Sequence, residues 1–265
     1  MLFLQIFKSV QYQINEMHKS TYCIDEMTKK LPSPDHELMA GVKWGRCDEL
    51  FTPAYWKIQY QLHEDIFTCD YYRISDNLIE EICACLLGGF GIKSEVGVIA
   101  FESLKQQNLL VPRTPYQRIL DALLSPLSNG KRKFRYRFPR QKAKYIYEFL
   151  NREDLEKIPK NSDLLLREWL LTVNGIGMKT ASWVTRNWLG SQNVAILDIH
   201  IYRAGLIAGF FNAGKCLQKD YVELEKRYLE FSAALEVNAA NLDALIWLQL
   251  KVANNIALNI LKIKN

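Results

Sequence analysis

Two glycines set two residues apart between two apolar helical stretches constrain this chain more than any other feature. The segment reads Val173-Asn174-Gly175-Ile176-Gly177-Met178-Lys179. Residues 163–173 before it and 178–189 after it carry apolar side chains at helical spacing. Glycine is needed where the backbone takes positive φ or approaches another backbone closely. The pattern therefore predicts a helix, a tight turn at 174–177 and a second helix. The second helix starts with free N–H groups and the positive end of its dipole, an arrangement that suits a phosphate.

The rest of the chain is also mainly helical in pattern. Residues 75–87 begin with a Ser75-Asp76 cap signal and place Leu78, Ile79, Ile82, Cys85 and Leu86 on one face. Gly88-Gly89-Phe90-Gly91 ends that helix. Further helices are expected at 94–107, from Thr114-Pro115 through Leu124, at 140–151, from near Asp198, at 218–235, and at 241–262 capped by Asn241. Residues 125–139 read as a loop, and 193–198 as extended chain. Thr52-Pro53 opens another helix, and the stretch holding Pro32, Pro34, Gly41 and Gly45 is either irregular or built of short strands.

Length and charge exclude some classes. The 265 residues are 49% hydrophobic and 24% charged, which fits a folded chain with a substantial core and not a disordered one. No uninterrupted apolar run has the length of a membrane span, and the apolar opening MLFLQIFKS lacks the flanks of a signal peptide. The net charge is a mild +5, but it is concentrated. Residues 131–144 read KRKFRYRFPRQKAK, and without their eight cations the net charge would be −3. Phe134, Tyr136 and Phe138 alternate with the cations, so an extended segment would put rings on one side and charges on the other. Such a surface would meet a polyanion.

The six cysteines are Cys23, Cys47, Cys69, Cys83, Cys85 and Cys216. No C-x-x-C pair exists, and His18, His36, His63 and His200 are scattered. Reduced, mostly buried thiols are the reading this supports. The clustered ligands of a zinc site or an iron–sulfur cluster are missing from the pattern.

Gly175-Ile176-Gly177-Met178-Lys179 followed by Leu197-Asp198-Ile199-His200 closely resembles the helix-hairpin-helix DNA glycosylases, and among them the 8-oxoguanine DNA glycosylases. Arg140-Gln141-Lys142-Ala143 and the helix ending Cys85-Leu86-Leu87 add to the likeness. It is strongest over 140–211 and weakest over the first 74 residues. It implies a mainly α, two-lobed fold, with room for short N-terminal strands. Residues 1–74 would pack on a helical core at 75–211 that carries the hairpin at 173–179. Residues 212–265 would pack back with the N-terminal lobe.

The resemblance also implies chemistry. Lysine at 179 resembles the bifunctional members, which remove a base and then nick the strand. The lack of a C-terminal cysteine cluster sets the chain apart from the endonuclease III and adenine glycosylase branches, so no iron–sulfur cluster or required cofactor is expected. Lys179 would attack C1′ as a neutral amine and form a Schiff base. Burial in an apolar pocket and the helix N-terminus would help to deprotonate it, since an exposed lysine titrates near ~10.4. Asp198 would stabilise positive charge on the sugar and also cap the next helix.

Gly175, Gly177, Met178, His200, Arg135, Arg137, Arg140 and Lys142 are the expected DNA contacts. The carbonyls of Leu171, Val173 and Ile176 match positions that hold a monovalent cation, K⁺ or Na⁺. Gln249, in Trp247-Leu248-Gln249, matches a base-reading glutamine, although a plain polar position on a helix face is the competing reading. The Gly88–Ile92 turn matches the wedge that fills the gap left by a flipped base, without the usual polar wedge residue. Trp44, Tyr55 and Trp56 are unranked candidates for stacking on the base. The implied partner is double-stranded DNA with a damaged base, met by a monomer away from membranes, at the nucleoid of a prokaryote or in a nucleus. Two rivals stay open: the same chemistry on another base, and a non-catalytic DNA-binding module.

Overall fold

The computed structural model describes residues 21–63, 73–89, 91–128, 130 and 132–264. The apolar opening, His18, Cys69, Phe90 and Lys131 lie outside these residues. Among the described residues the chain forms eleven α-helices and two short β-hairpins. It divides into two compact units: residues 72–191, and residues 1–71 with 192–265.

The unit 72–191 is built around α3 (Leu78–Leu87), which packs on α4 (Ser94–Gln106), α6 (Pro139–Leu150) and α8 (Met178–Leu189). Helix α5 (Tyr116–Leu124) packs on α4 and α6, and α7 (Asp163–Leu171) packs on α8. Residues 78–87 carry an apolar periodicity strong enough to bury Ile82, Cys83, Cys85, Leu86 and Leu87 almost completely. The cap of α3 is Asn77 and not the Ser75-Asp76 pair: its side chain accepts from Ile79 N and Glu80 N. Helix α5 begins one residue later than Thr114-Pro115 predicts, because the Thr114 hydroxyl donates backwards to Val111 O. Between α5 and α6 the expected loop contains a small hairpin, β3 (Leu127–Ser128) paired antiparallel with β4 (Lys133–Phe134).

The other unit contains α1 (Thr21–Lys29), the hairpin of β1 (Glu37–Met39) with β2 (Val42–Lys43), and α2 (Pro53–His63). It is completed by α9 (Ile199–Ala208), α10 (Tyr221–Ala234) and α11 (Ala239–Lys264). Thr52 caps α2 by accepting from Tyr55 N. Phe210 stacks on Phe231 with ring centroids 4.0 Å apart, and both are buried. Helix α11 packs on α9, α10 and α2, which ties the C-terminal segment to the N-terminal one. This grouping differs from the expected 75–211 core: the packing of α9 on α11 draws residues 192–211 into the terminal unit.

The cap of α11 is Asn238, whose side chain accepts from Ala240 N and Asn241 N, while Asn241 lies inside the helix and donates to the Tyr60 hydroxyl. The helix is kinked at Ala253. Over Ala239–Lys262 it is long and apolar enough to cross a membrane, which the sequence pattern did not suggest. Leu242, Leu245, Ile246 and Leu250 are instead buried within the protein.

Candidate active site

The turn forms where the two glycines predict it. Helix α7 ends at Leu171, and Ile176 N–H donates to Val173 O at 3.1 Å. Gly175 has φ of 89°, and a Cβ there would sit 2.4 Å from Tyr145 Cδ2. Both the backbone conformation and the aromatic neighbour on α6 therefore require glycine at 175. Gly177 differs. Its φ of −104° is open to any residue, and a Cβ there would meet nothing within 4 Å. It is the N-cap of α8 and supplies no side chain to the helix start. The first N–H groups of α8 thus receive no side-chain cap from Gly177.

Lys179 is the second residue of α8 and is exposed, while Met178 before it is half-buried. The apolar burial expected for the amine is therefore not provided by the folded chain. The turn itself is braced from α6 and from the segment that follows it. Arg152 donates to Thr172 O and to the Thr172 hydroxyl, both at 3.0 Å, and pairs with Asp154, which it holds below the usual carboxylate range. Asn174 donates to Glu148 at 2.7 Å. Sequence reading missed these braces, since each joins residues about twenty or more positions apart. It also missed Glu81, a buried carboxylate that accepts from Ile74 N, Ser75 N and Asn187 Nδ2 and so joins α3 to the end of α8. Burial pushes this carboxyl above its usual range, and the two backbone N–H groups partly offset it.

In the other unit, Asp198 caps α9. Its Oδ1 accepts from His200 N at 2.8 Å and from Ile201 N at 3.0 Å, and the residue is buried. Both bonds end on one oxygen, so the cap does not use Oδ2. The capping role expected from the sequence is present, and it fixes the carboxylate in one orientation. His200 is half-buried in the first turn of α9.

Gln249 on α11 is held from two sides. The Tyr55 hydroxyl donates to its Oε1 at 2.6 Å, and its Nε2 donates to Gln59 Oε1 at 2.7 Å. An amide has two donors and two acceptor lone pairs, so one of each remains. Of the three aromatic candidates for base stacking, Trp44 and Trp56 are buried in the core, where they pack instead of facing a base. Tyr55 is half-buried; its ring meets Phe51 and Trp56 edge-on, and its hydroxyl donates to Gln249.

The basic segment is two-sided, as the alternation predicts. Tyr136 is buried, Phe134 and Phe138 are half-buried, and Arg135, Arg137 and Arg140 are exposed. Two of the expected DNA contacts are engaged internally. Lys142 donates to Leu86 O at 2.5 Å and Gly88 O at 2.7 Å, and burial lowers its pKa. Arg137 donates to Gly91 O at 3.0 Å. Among the described residues no three His, Cys, Asp or Glu side chains are placed to hold a metal ion. Cys83 and Cys85 are buried thiols whose pKa values burial raises.

Residues 67–237, which include the turn, Lys179 and Asp198, match the family model for 8-oxoguanine DNA glycosylase. The 8-oxoguanine DNA glycosylase/AP lyase of Metallosphaera sedula is 31% identical over 134 residues, which is 49% of this chain and 65% of that protein. The enzyme of the same name from Saccharolobus solfataricus is 32% identical over 141 residues, covering 49% of this chain and 67% of its own. The chain thus spans just under two thirds of the first of these relatives. Among solved structures, the 8-oxoguanine DNA glycosylase of Thermotoga maritima superimposes with a TM-score of 0.52 at 18% identity, covering 93% of this chain and 97% of that one. That of Methanocaldococcus jannaschii gives 0.51 at 21% identity, covering 93% and 95%. At these identities the superpositions show a common fold.

Proposed function

This chain belongs to the 8-oxoguanine DNA glycosylase family, and from that premise we propose that it excises 8-oxoguanine from double-stranded DNA and then cleaves the strand. The observation that carries the reading is the open, uncapped start of α8, with bare Gly177 at its tip and Lys179 in its first turn. A phosphate can approach Gly177 until backbone N–H groups reach it, because no side chain intervenes. Lys179 then stands beside the anchored strand.

The base must leave the stack before its sugar can be attacked. Neutral Lys179 Nζ attacks C1′, and the bond from C1′ to the base breaks with its electron pair going to the base, which takes up a proton. Ring opening gives an iminium between Nζ and C1′. The iminium acidifies the C2′ hydrogen, and loss of that proton expels the 3′ phosphate with the C3′–O3′ electron pair. Asp198 carries the negative charge that stabilises the developing positive sugar. Lys179 is exposed in the free chain, so its amine is accessible to a bound strand.

Gly175 and Met178 shape the phosphate site, with His200, Arg135 and Arg140 as further DNA contacts. The carbonyls of Leu171, Val173 and Ile176 are the donors available for a K⁺ or Na⁺ ion at the turn. Gln249, with one donor and one acceptor remaining, is the group proposed to read the base edge. The protein acts as a monomer wherever the cell keeps its DNA. A second reading keeps the chemistry and changes the base, because the Tyr55 and Gln59 bonds fix the Gln249 amide without defining the purine it meets.

The test is trapping. The protein is incubated with duplexes bearing 8-oxoguanine or other lesions in the presence of borohydride, which reduces the iminium to a permanent adduct. An 8-oxoguanine adduct that disappears in Lys179→Gln is expected. An adduct with another lesion alone would move the reading to that base. No adduct with any lesion, or an adduct that survives Lys179→Gln, would overturn the Schiff-base mechanism.

A further inference from the structure

The end of α3 presents a problem for a DNA-binding surface. The last carbonyls of a helix lack intrahelical partners and carry about half a negative charge. In this chain they lie beside the basic segment, and side chains of that segment occupy them. Leu86 O and Gly88 O accept from Lys142, Leu87 O accepts from the Tyr136 hydroxyl at 2.5 Å, and Gly91 O accepts from Arg137. Four carbonyls across the end of α3 and its turn are thus held by three side chains from one stretch of sequence. The fit is close: a Cβ at Gly91 would lie 2.5 Å from Arg137 Nη1. The Trp183 ring of α8 lies next to Gly88, where an added Cβ would be 3.5 Å from it.

We propose that Tyr136, Arg137 and Lys142 form a carbonyl clamp that neutralises the end of α3 and positions the backbone of Gly88, Gly89 and Gly91 for entry into DNA. The three are positioning residues, and the phosphate contacts of the basic segment fall to its outward cations, Arg135 and Arg140. The arrangement links two jobs within one segment: the stretch that holds DNA on one side holds the turn on the other. Trp183 joins that turn to the helix whose start anchors the phosphate. The inference rests on the DNA glycosylase reading and adds a mechanical role that this reading does not assign.

Backbone hydrogen exchange tests it, using the full chain with and without a short undamaged duplex. Binding is expected to slow exchange both at the α8 start and in the turn. In Tyr136→Phe and Lys142→Met, exchange at the turn in the free protein rises about tenfold, as loss of one such hydrogen bond predicts. Slowing by DNA at the α8 start persists. Excision from a duplex falls about tenfold, while excision from a single strand, where no base pair must be opened, returns towards wild type. Lys142→Arg, which keeps donors at that site, restores duplex excision. Equal losses on duplex and single strand, or no change in turn exchange, would overturn the clamp. If DNA slows the α8 start but leaves the turn unaffected, only this proposal fails. If DNA slows neither, the DNA reading fails with it.

Discussion

The ring of Tyr145 lies against Gly175, 2.4 Å from where a Cβ would be, whereas Gly177, two residues on, has open space around it. The two glycines of one motif therefore answer to different demands. Gly175→Ala forces a side chain into positive φ and into an aromatic ring, which costs about 3 kcal/mol or more. In a chain of this size that lowers Tm by about 6 °C or more. Gly177→Ala costs about 1 kcal/mol or less, because only the cap residue changes. Its effect falls on DNA: a methyl group at the phosphate site weakens duplex binding about tenfold. Thermal melts and binding isotherms on both variants check this. Wild-type affinity in Gly177→Ala would remove the phosphate site from the start of α8.

Asp198 holds a helix and carries a charge, and two substitutions separate these roles. Asparagine keeps the oxygen that accepts from His200 N and Ile201 N, so Asp198→Asn leaves Tm close to wild type. It removes the charge, so single-turnover base excision slows about a hundredfold or more while DNA affinity is kept. Asp198→Ala loses both, with a further stability cost of about 1 kcal/mol. Undiminished excision in Asp198→Asn would reduce Asp198 to its cap.

Which features the sequence revealed follows from how local their causes are. The turn and α8 were readable because glycine spacing and apolar periodicity act within a few residues, and Met178–Leu189 begins and ends where predicted. The alternation at 134–138 likewise became alternating burial. The internal bonds of Lys142 are invisible in sequence because its charge is local and its acceptors are not: Leu86 and Gly88 lie more than fifty residues earlier. Trp44 and Trp56 were misread for a related reason, as nothing local distinguishes a stacking tryptophan from a core one. Helix caps were off by one to three residues where a neighbouring polar side chain found another partner, as with Asn238 and Asn241.

Arg135 and Arg137 stand two residues apart, and both are exposed, yet their roles separate in a salt titration. Arg137 is bonded to Gly91 O, and its guanidinium lies 5.0 Å from the Phe138 ring centre. Arg135→Glu is expected to weaken binding to every duplex sequence and to flatten the plot of log affinity against log salt by about one unit per lost phosphate contact. Arg137→Gln leaves that slope close to wild type. Equal flattening by the two would return Arg137 to the phosphate contacts.

Tyr55 gives a prediction in pH. Burial raises its hydroxyl to about 12 from the usual value near 10, so the folded chain keeps it neutral where the unfolded chain ionises. An acid with a raised folded pKa contributes stability that is present in full below the unfolded value and is lost as pH rises through the folded one. Urea melts on wild type should therefore lose stability between about pH 10 and 12. Other tyrosines titrate too, so the quantity to read is the difference from Tyr55→Phe, which lacks this component. The same substitution removes the donor to Gln249 Oε1 and lets the amide turn over. If Gln249 reads the base edge, Tyr55→Phe lowers discrimination between 8-oxoguanine and guanine in single-turnover excision, with adduct formation by Lys179 retained. Unchanged discrimination in both Tyr55→Phe and Gln249→Ala would place base reading elsewhere.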